Sequence, residues 1–232
     1  MSRCYCREGS VTNQEELLGY IFIIFVPSVN TANISTIARH RIGLDGYGVV
    51  TLVVMNGCPL RCKYCINRFA LEGESSTFTP DGLLKRMMQD NLYFLASGGG
   101  ITFGGGEPLL WAAFIKDFCS ICDTNWTISV ETSLNVPLEN LESIAEDVDL
   151  FIIDIKDMDL EIYRSYTGTG NERVLKNLQY LSENGYSEKC IIRLPLIPSY
   201  NTEENIFSSE KILEGMGFSR FNKFNYRKPD EQ

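Results

Sequence analysis

The sequence predicts an α/β fold, a partial (β/α)6 barrel with a parallel sheet inside and helices outside. Three observations predict it. Strand-like and helix-like segments alternate about six times from Gly48 onward, which favours right-handed crossovers and a parallel sheet. The strand segments read as near-continuous apolar runs, as strands covered on both faces do. Six units fall short of the eight that close a barrel, so the sheet is expected to stay open.

Val49 to Met55 (VVTLVVM) is a β-branched run and the first strand of the series. Pro80 to Ala96 carries helical periodicity. Ile101 to Phe103 is a short strand that enters Gly104-Gly105-Gly106, and Leu109 to Cys122 reads as a helix. Trp126 to Val130 is a strand and Leu138 to Ala145 a helix. Leu150 to Ile155 (LFIIDI) is a strand, with a helix at Glu172 to Asn184. Cys190 to Leu196 (CIIRLPL) is a strand, Glu203 to Gly215 a helix, and Phe218 to Asn225 the last strand. The first forty residues differ: a Cys4-Tyr5-Cys6 pair, the apolar run Leu17 to Pro27, then Ser/Thr/Asn-rich sequence to Ile37. They are expected to form an N-terminal extension, residues 1–40, packed onto a main domain of residues 41–232.

With 232 residues, 44% of them hydrophobic, the chain can bury one sizeable core. A formal charge of −9 repels phosphate backbones, so nucleic acid is not an expected partner. The run Leu17 to Pro27 is shorter than the ~20 residues of a membrane-spanning helix. It has no basic stretch before it and no small-residue cleavage site after it. The expectation is therefore a cytoplasmic protein without a membrane partner. Eight cysteines in a chain of this size point to thiols kept for metal or redox work rather than to a disulfide scaffold.

In such folds ligands sit at the carboxyl ends of the strands. Every polar motif of note falls there: Cys58, Cys62 and Cys65 after the first strand, Gly105, Gly106 and Glu107 after the second, Glu131 and Thr132 at the end of the third, Asp154 and Lys156 on the fourth, Arg193 on the fifth. They should converge on one mouth. The cysteines are spaced C-x3-C-x2-C, and thiolates select soft metals and iron–sulfur clusters. Three ligands so close can hold three irons of a [4Fe–4S] cube and leave the fourth open. A structural zinc wants four tetrahedral ligands, and the fourth would have to come from His40 or a distant cysteine. A zinc site and three core cysteines stay open as alternatives to the cluster.

Cys119 and Cys122 lie one turn apart in a predicted helix, where both thiols can face the core; Cys190 opens a buried strand. With Cys4 and Cys6 they supply no compact four-ligand set for a second cluster. His40 is the one histidine, and no Gly-x-Ser-x-Gly accompanies it, which argues against a hydrolase triad. Gly43, Gly46 and Gly48 precede a strand, whereas a dinucleotide loop follows one.

The cysteine spacing with Tyr64 before the third cysteine, together with Gly105-Gly106-Glu107-Pro108 after the second strand, resembles the radical S-adenosylmethionine (SAM) superfamily. More narrowly, Ala96-Ser97-Gly98-Gly99-Gly100-Ile101-Thr102, the Asp154-Ile155-Lys156 strand end, the Tyr166-Thr167-Gly168 helix end and the Arg193 strand are similar to pyruvate formate-lyase activating enzyme and other activases of glycyl radical enzymes. That resemblance covers residues 43 to 225. It implies a radical SAM barrel and an oxidoreductase working anaerobically. Cys58, Cys62 and Cys65 would ligate an oxygen-sensitive [4Fe–4S] cluster, with Tyr64 and Asn67 beside SAM. Gly105 and Gly106 would expose backbone to the methionine amino group, and Glu107 would accept from it. Glu131 and Thr132 would lie near the methionine end or ribose. Asp154, Lys156 and Arg193 would line the SAM and peptide side, Lys156 among the catalytic groups.

The implied reaction is reductive cleavage of SAM to methionine and a 5′-deoxyadenosyl radical, with flavodoxin or ferredoxin as electron donor. The radical would then take a hydrogen atom from a backbone glycine of a partner glycyl radical enzyme. Some positions depart from the activase pattern. Gly46-Tyr47-Gly48-Val49-Val50 lacks the usual basic residue, Ile152 stands in place of methionine and Glu131 in place of aspartate, and the chain stops soon after its sixth strand. The alternatives are a radical SAM enzyme that modifies a peptide or small molecule, and a non-catalytic zinc or iron binding module.

Overall fold

The computed structural model describes residues 30–226; Cys4, Cys6 and the run Leu17 to Pro27 lie outside the described residues. In chain order the elements are β1 (Ala32–Ile42), β2 (Val49–Met55), α1 (Phe69–Glu72), β3 (Ser76–Phe78), α2 (Pro80–Met87), α3 (Asn91–Ser97), β4 (Gly100–Gly105) and α4 (Ala112–Ile121). They continue with β5 (Thr127–Thr132), α5 (Leu138–Glu142), β6 (Leu150–Asp154), α6 (Leu160–Thr167), α7 (Glu172–Glu183), β7 (Cys190–Leu196), α8 (Glu203–Gly215) and β8 (Phe221–Asn225). One sheet runs in the order β3-β1-β2-β4-β5-β6-β7-β8. From β2 to β8 all neighbours are parallel, giving the six expected inner strands in an open sheet.

The N-terminal boundary requires correction. β1 pairs antiparallel with β2 from Ile34↔Met55 to Ile42↔Val49, and with β3 on its other side. Residue 40 therefore falls inside a strand of the main sheet, not at the edge of an extension. The strand was hidden because its alternation breaks: between Ala38↔Leu52 and Arg41↔Val50 it carries one residue more than its partner. This is a bulge, with His40 in the left-handed region at φ 56°.

The helical pattern of 80–96 also divides. α2 begins at Thr79, whose hydroxyl accepts from Gly82 N at 3.1 Å, with Pro80 in the first turn, where it forfeits no hydrogen bond. It ends at Met87, and a 3-10 turn, Met88–Asp90, leads into α3. The turn delivers Asp90 into the protein with no exposed surface. There its carboxylate accepts from Arg39 Nε at 2.9 Å, Thr51 Oγ1 at 2.9 Å and His40 Nε2 at 3.1 Å. Burial pushes the Asp90 carboxyl up, but Arg39 and Thr51 outweigh it and the net shift is downward. A depressed folded pKa contributes stability that is fully present above the unfolded-chain value of about 3.9 and is lost as pH falls on through the lower folded value. Asp90→Asn should cost roughly 1–3 kcal/mol in urea unfolding at pH 7 and measurably less at pH 3. An equal loss at both pH values would contradict this account.

The remaining helices cover the sheet. α8 coincides with its expected bounds because Thr202 and Asn205 cap each other: Asn205 N donates to Thr202 Oγ1 at 3.3 Å and Thr202 N to Asn205 Oδ1 at 2.9 Å. α6, of which the sequence marked only the end, starts at Asp159, whose carboxylate accepts from Glu161 N and Ile162 N at 2.9 Å. Cys119 and Cys122 are half-buried against the core at the end of α4, and Cys190 is buried at the start of β7. Among the described residues no helix is long and apolar enough to cross a membrane.

Candidate active site

β2 ends at Met55 and the chain turns into the cysteine loop at the carboxyl edge of the sheet. Backbone hydrogen bonds fix that loop from several sides. Arg61 N and Lys63 N donate to the carbonyls of Thr167 and Tyr166, at the end of α6, at 2.9 and 3.1 Å. Gly57 N donates to Ala70 O at 2.9 Å, and the Tyr226 hydroxyl, just past β8, donates to Tyr64 O at 2.8 Å.

Cys58, Cys62 and Cys65 are half-buried free thiols on one wall of a cavity of about 220 Å³. Asn67, Gly105, Gly106, Glu107, Glu131, Thr132, Asp154, Lys156 and Arg193 line the same cavity, so eleven strand-end residues and a cysteine-loop asparagine drawn from five strands meet as a set. Tyr64 does not line it. Its ring packs edge-on against Tyr166 and Tyr200, centroids 6.0 and 5.6 Å away, behind the loop. Sequence reasoning missed Ser133, Phe224 and Tyr226, which also line the cavity. The signal for each was its place beside a strand end.

Where β4 meets β2 the site depends on glycine. Gly106 N donates to Met55 O at 3.1 Å and Glu107 N to Gly57 O at 2.8 Å, and a Cβ on Gly106 would collide with the carbonyl oxygens of Met55 and Gly57. The close approach of the two chain segments holds Gly105 and Gly106 in the cavity wall.

Glu107, expected to accept from the methionine amino group, stands in the cavity wall. It is 1% exposed, and its carboxylate already accepts from Thr132 Oγ1 at 2.6 Å, Ser133 Oγ at 2.7 Å, Ser133 N at 2.9 Å and Leu109 N at 3.2 Å. Burial pushes its pKa up and these donors pull it down, with a net rise. The group ties the end of β4 to the end of β5. Thr132, expected beside the methionine end or ribose, is buried and spends its hydroxyl on Glu107 and on Leu134 N.

Charges inside the barrel come in pairs. Arg193 contacts Glu131 and also donates to Leu44 O at 2.6 Å, and Arg41 contacts Asp45. Lys156 Nζ lies 3.5 Å from Asp154 Oδ2. Burial raises the Glu131 carboxyl above its ordinary range; Arg193 opposes the rise and Asp154 and Asp45 add to it. Burial works against the Lys156 ammonium, yet Asp154, with the nearby Cys62 and tyrosines, holds its pKa above the usual lysine value. The Cys58 thiol is pushed up to about 12, by burial first and Glu107 next. Cys62 is raised by burial, with Lys156 opposing. Both thiols are neutral at pH 7 on their own, so binding a metal must release their protons.

These donors fit an iron–sulfur group with a zwitterionic ligand beside it. Three soft thiols share a wall, glycine backbone stands near them, and Asp154 Oδ1 is buried without a hydrogen-bond partner among the described residues. Among the described residues no three His, Cys, Asp or Glu side chains converge on a point as a single metal ion requires, whereas cluster thiolates each take a different iron.

Comparison with known proteins agrees with this chemistry. Residues 52–207, more than half of the chain, match the radical SAM superfamily. The pyruvate formate-lyase-activating enzyme of Clostridium pasteurianum is 32% identical over 176 residues, 75% of this chain and 73% of that protein. The 4-hydroxyphenylacetate decarboxylase activating enzyme of Clostridioides difficile (strain 630) is 26% identical over 84% of this chain and 78% of that one. Among solved structures, Streptococcus suis SuiB superposes with a TM-score of 0.60 at 17% identity, over 77% of this chain and 39% of SuiB. The enzyme anSMEcpe with bound AdoMet gives 0.56 at 18%, over 75% of this chain and 50% of that chain. At such identities the structures bear on the fold alone, and they share the open, mostly parallel sheet. The chain belongs to the radical SAM superfamily, as an enzyme whose cofactors are a [4Fe–4S] cluster and SAM.

Proposed function

We propose that this enzyme is an activase that takes a hydrogen atom from a backbone glycine of a partner glycyl radical enzyme. The observation that carries the reading is the single cavity shared by Cys58, Cys62, Cys65 and the backbone of Gly105 and Gly106, in a chain whose relatives include two activating enzymes. When bound, the reduced cluster and SAM supply a 5′-deoxyadenosyl radical by cleavage of the sulfonium C–S bond.

The protein's part is to hold, orient and shield. Cys58, Cys62 and Cys65 would hold three irons as thiolates. Gly105 and Gly106 would present backbone to the methionine amino group, with Asn67 on the same wall. Glu131, Asp154, Lys156 and Arg193 would set the polar face, each charge already matched by a neighbour so that the barrel interior carries little net charge. Glu107 and Thr132, in the cavity wall, would keep the ends of β4 and β5 together. Phe224 lines both this cavity and a groove of about 680 Å³ between β8 and α8, floored by Leu196, Ile206 and Phe207. A loop of a large partner could approach along that side. The electron would come from flavodoxin or ferredoxin.

The test is 5′-deoxyadenosine formation by anaerobically reconstituted, dithionite-reduced protein, with iron and sulfide content measured alongside. Product with about four irons per chain is expected. Adding a candidate glycyl radical enzyme deuterated at glycine Cα should then place deuterium in 5′-deoxyadenosine. SAM cleavage without deuterium transfer from any such partner would overturn the activase reading and point to a peptide or small-molecule substrate.

A further inference from the structure

We infer that the exposed basic rim of the cysteine loop is the docking surface for a small acidic protein that delivers the electron. The inference rests on the radical SAM reading and extends it to a partner. From Gly57 to Leu71 the chain carries Arg61, Lys63 and Arg68 and no carboxylate, against a formal charge of −9 for the whole. All three side chains are exposed. Among the described residues none of them is paired with a carboxylate, as is also true of Lys85, Arg86, Lys116, Arg173, Lys176, Lys189 and Arg220; what sets this loop apart is that its three bases sit in a stretch without any carboxylate.

The three bases also sit on the loop that carries the thiols. Arg61 Nη1 donates to the carbonyls of Cys58 and Leu60 at 2.9 and 3.0 Å, and Arg68 Nη2 reaches Lys63 O at 3.4 Å. Arg61 and Lys63 flank Cys62 in the chain. Two large exposed apolar side chains lie in the same loop, Phe69 at 50% exposure and Ile66 at 56%, the latter at the mouth of the cavity, which it also lines. Unpaired charge around an apolar centre suits a transient protein interface, in which charge steers the encounter and apolar contact seats it.

The place decides what kind of partner fits. An electron must reach the thiol-held group, and no surface lies closer in sequence to the thiols than this one. An acidic carrier is repelled by most of a chain of charge −9 and attracted here, which orients it as well as binding it. Nucleic acid fits poorly, since three bases neutralise few phosphates and the rest of the surface opposes them. The step balances: the reduced carrier loses one electron and is left in its oxidised state, and the cluster gains that electron before SAM cleavage.

The experiment compares two reductants in the double variant Lys63→Glu/Arg68→Glu; Arg61 is left in place because it also braces the loop. With dithionite, which needs no docking site, 5′-deoxyadenosine formation should equal that of the unaltered enzyme. With a reduced plant-type [2Fe–2S] ferredoxin as probe, the initial rate should fall at least about tenfold at low salt, and added salt should slow the unaltered enzyme but not the variant. Calorimetric titration of oxidised ferredoxin into cluster-free protein should show salt-sensitive binding that the variant lacks. Unchanged ferredoxin-driven rates and binding in the variant, or no salt-sensitive binding to the unaltered protein, would overturn the docking surface. An equal fall with dithionite would also overturn it, by placing the effect on the site itself. Absence of dithionite-driven SAM cleavage in the unaltered enzyme would instead set aside the reading on which the inference rests.

Discussion

Cys62→Ala should reduce 5′-deoxyadenosine formation by more than about a hundredfold, because loss of groups merely supporting a metal ligand already costs 10–100-fold and this is a ligand itself. The fold should survive the change. Cys62 is only half-buried, and the loop around it is fixed through backbone groups, Arg61 N on Thr167 O and Lys63 N on Tyr166 O, that the thiol does not touch. Removing one sulfur from such a position costs on the order of 1 kcal/mol. Circular dichroism and urea unfolding should therefore change little while iron content and SAM cleavage collapse. Cys119→Ala is the matched control: burial pushes that thiol up to about 12 at the far end of α4, and its loss should leave turnover unchanged. Retained turnover in Cys62→Ala would remove the residue from the ligand set.

Glu107→Ala should be the most destabilising substitution in the site, by roughly 3–5 kcal/mol in urea unfolding. The carboxylate is fully enclosed and serves two backbone N–H groups and two hydroxyls, so its removal orphans four donors at once. Two of them, Ser133 N and Leu109 N, have no freedom to rotate towards another acceptor. Glu107→Gln keeps the shape but turns an N–H₂ towards donors, and should fall between the two. If Glu107→Ala instead unfolds like the unaltered protein while SAM binding is lost, the carboxylate serves the ligand directly and not the strand ends.

Most of the architecture was legible because its signals are local. Strands buried on both faces must be apolar throughout, so VVTLVVM and LFIIDI announce themselves, and α8 carries its own start signal in Thr202 and Asn205. What escaped is what another part of the chain decides. β1 is a strand because β2 and β3 lie beside it, and its bulge erases the period-2 pattern that would identify it. The helical run of 80–96 breaks at Asp90 because Arg39 and Thr51, some forty to fifty residues earlier, claim that carboxylate. The site followed the same division. Spacing alone located the cysteines and glycines, whereas the burial of Glu107 beneath Thr132 and Ser133, and the withdrawal of Tyr64 into a cluster of tyrosines, are facts of three-dimensional packing.

A sheet that does not close has two ends, and each is a hazard of self-association, since an unpaired strand can recruit its counterpart from another copy. This chain guards both. At one end β3 covers β1 only from Ala32 to Ile34, and the bulge at His40 distorts the uncovered part of β1 as a template. At the other, β8 places Lys223 at its centre, with the ammonium 3.0 Å from Glu210 of α8. A charged side chain at the centre of an edge strand disfavours pairing with a strand of another copy, so the sheet can stay open for substrate without inviting a second sheet to continue it.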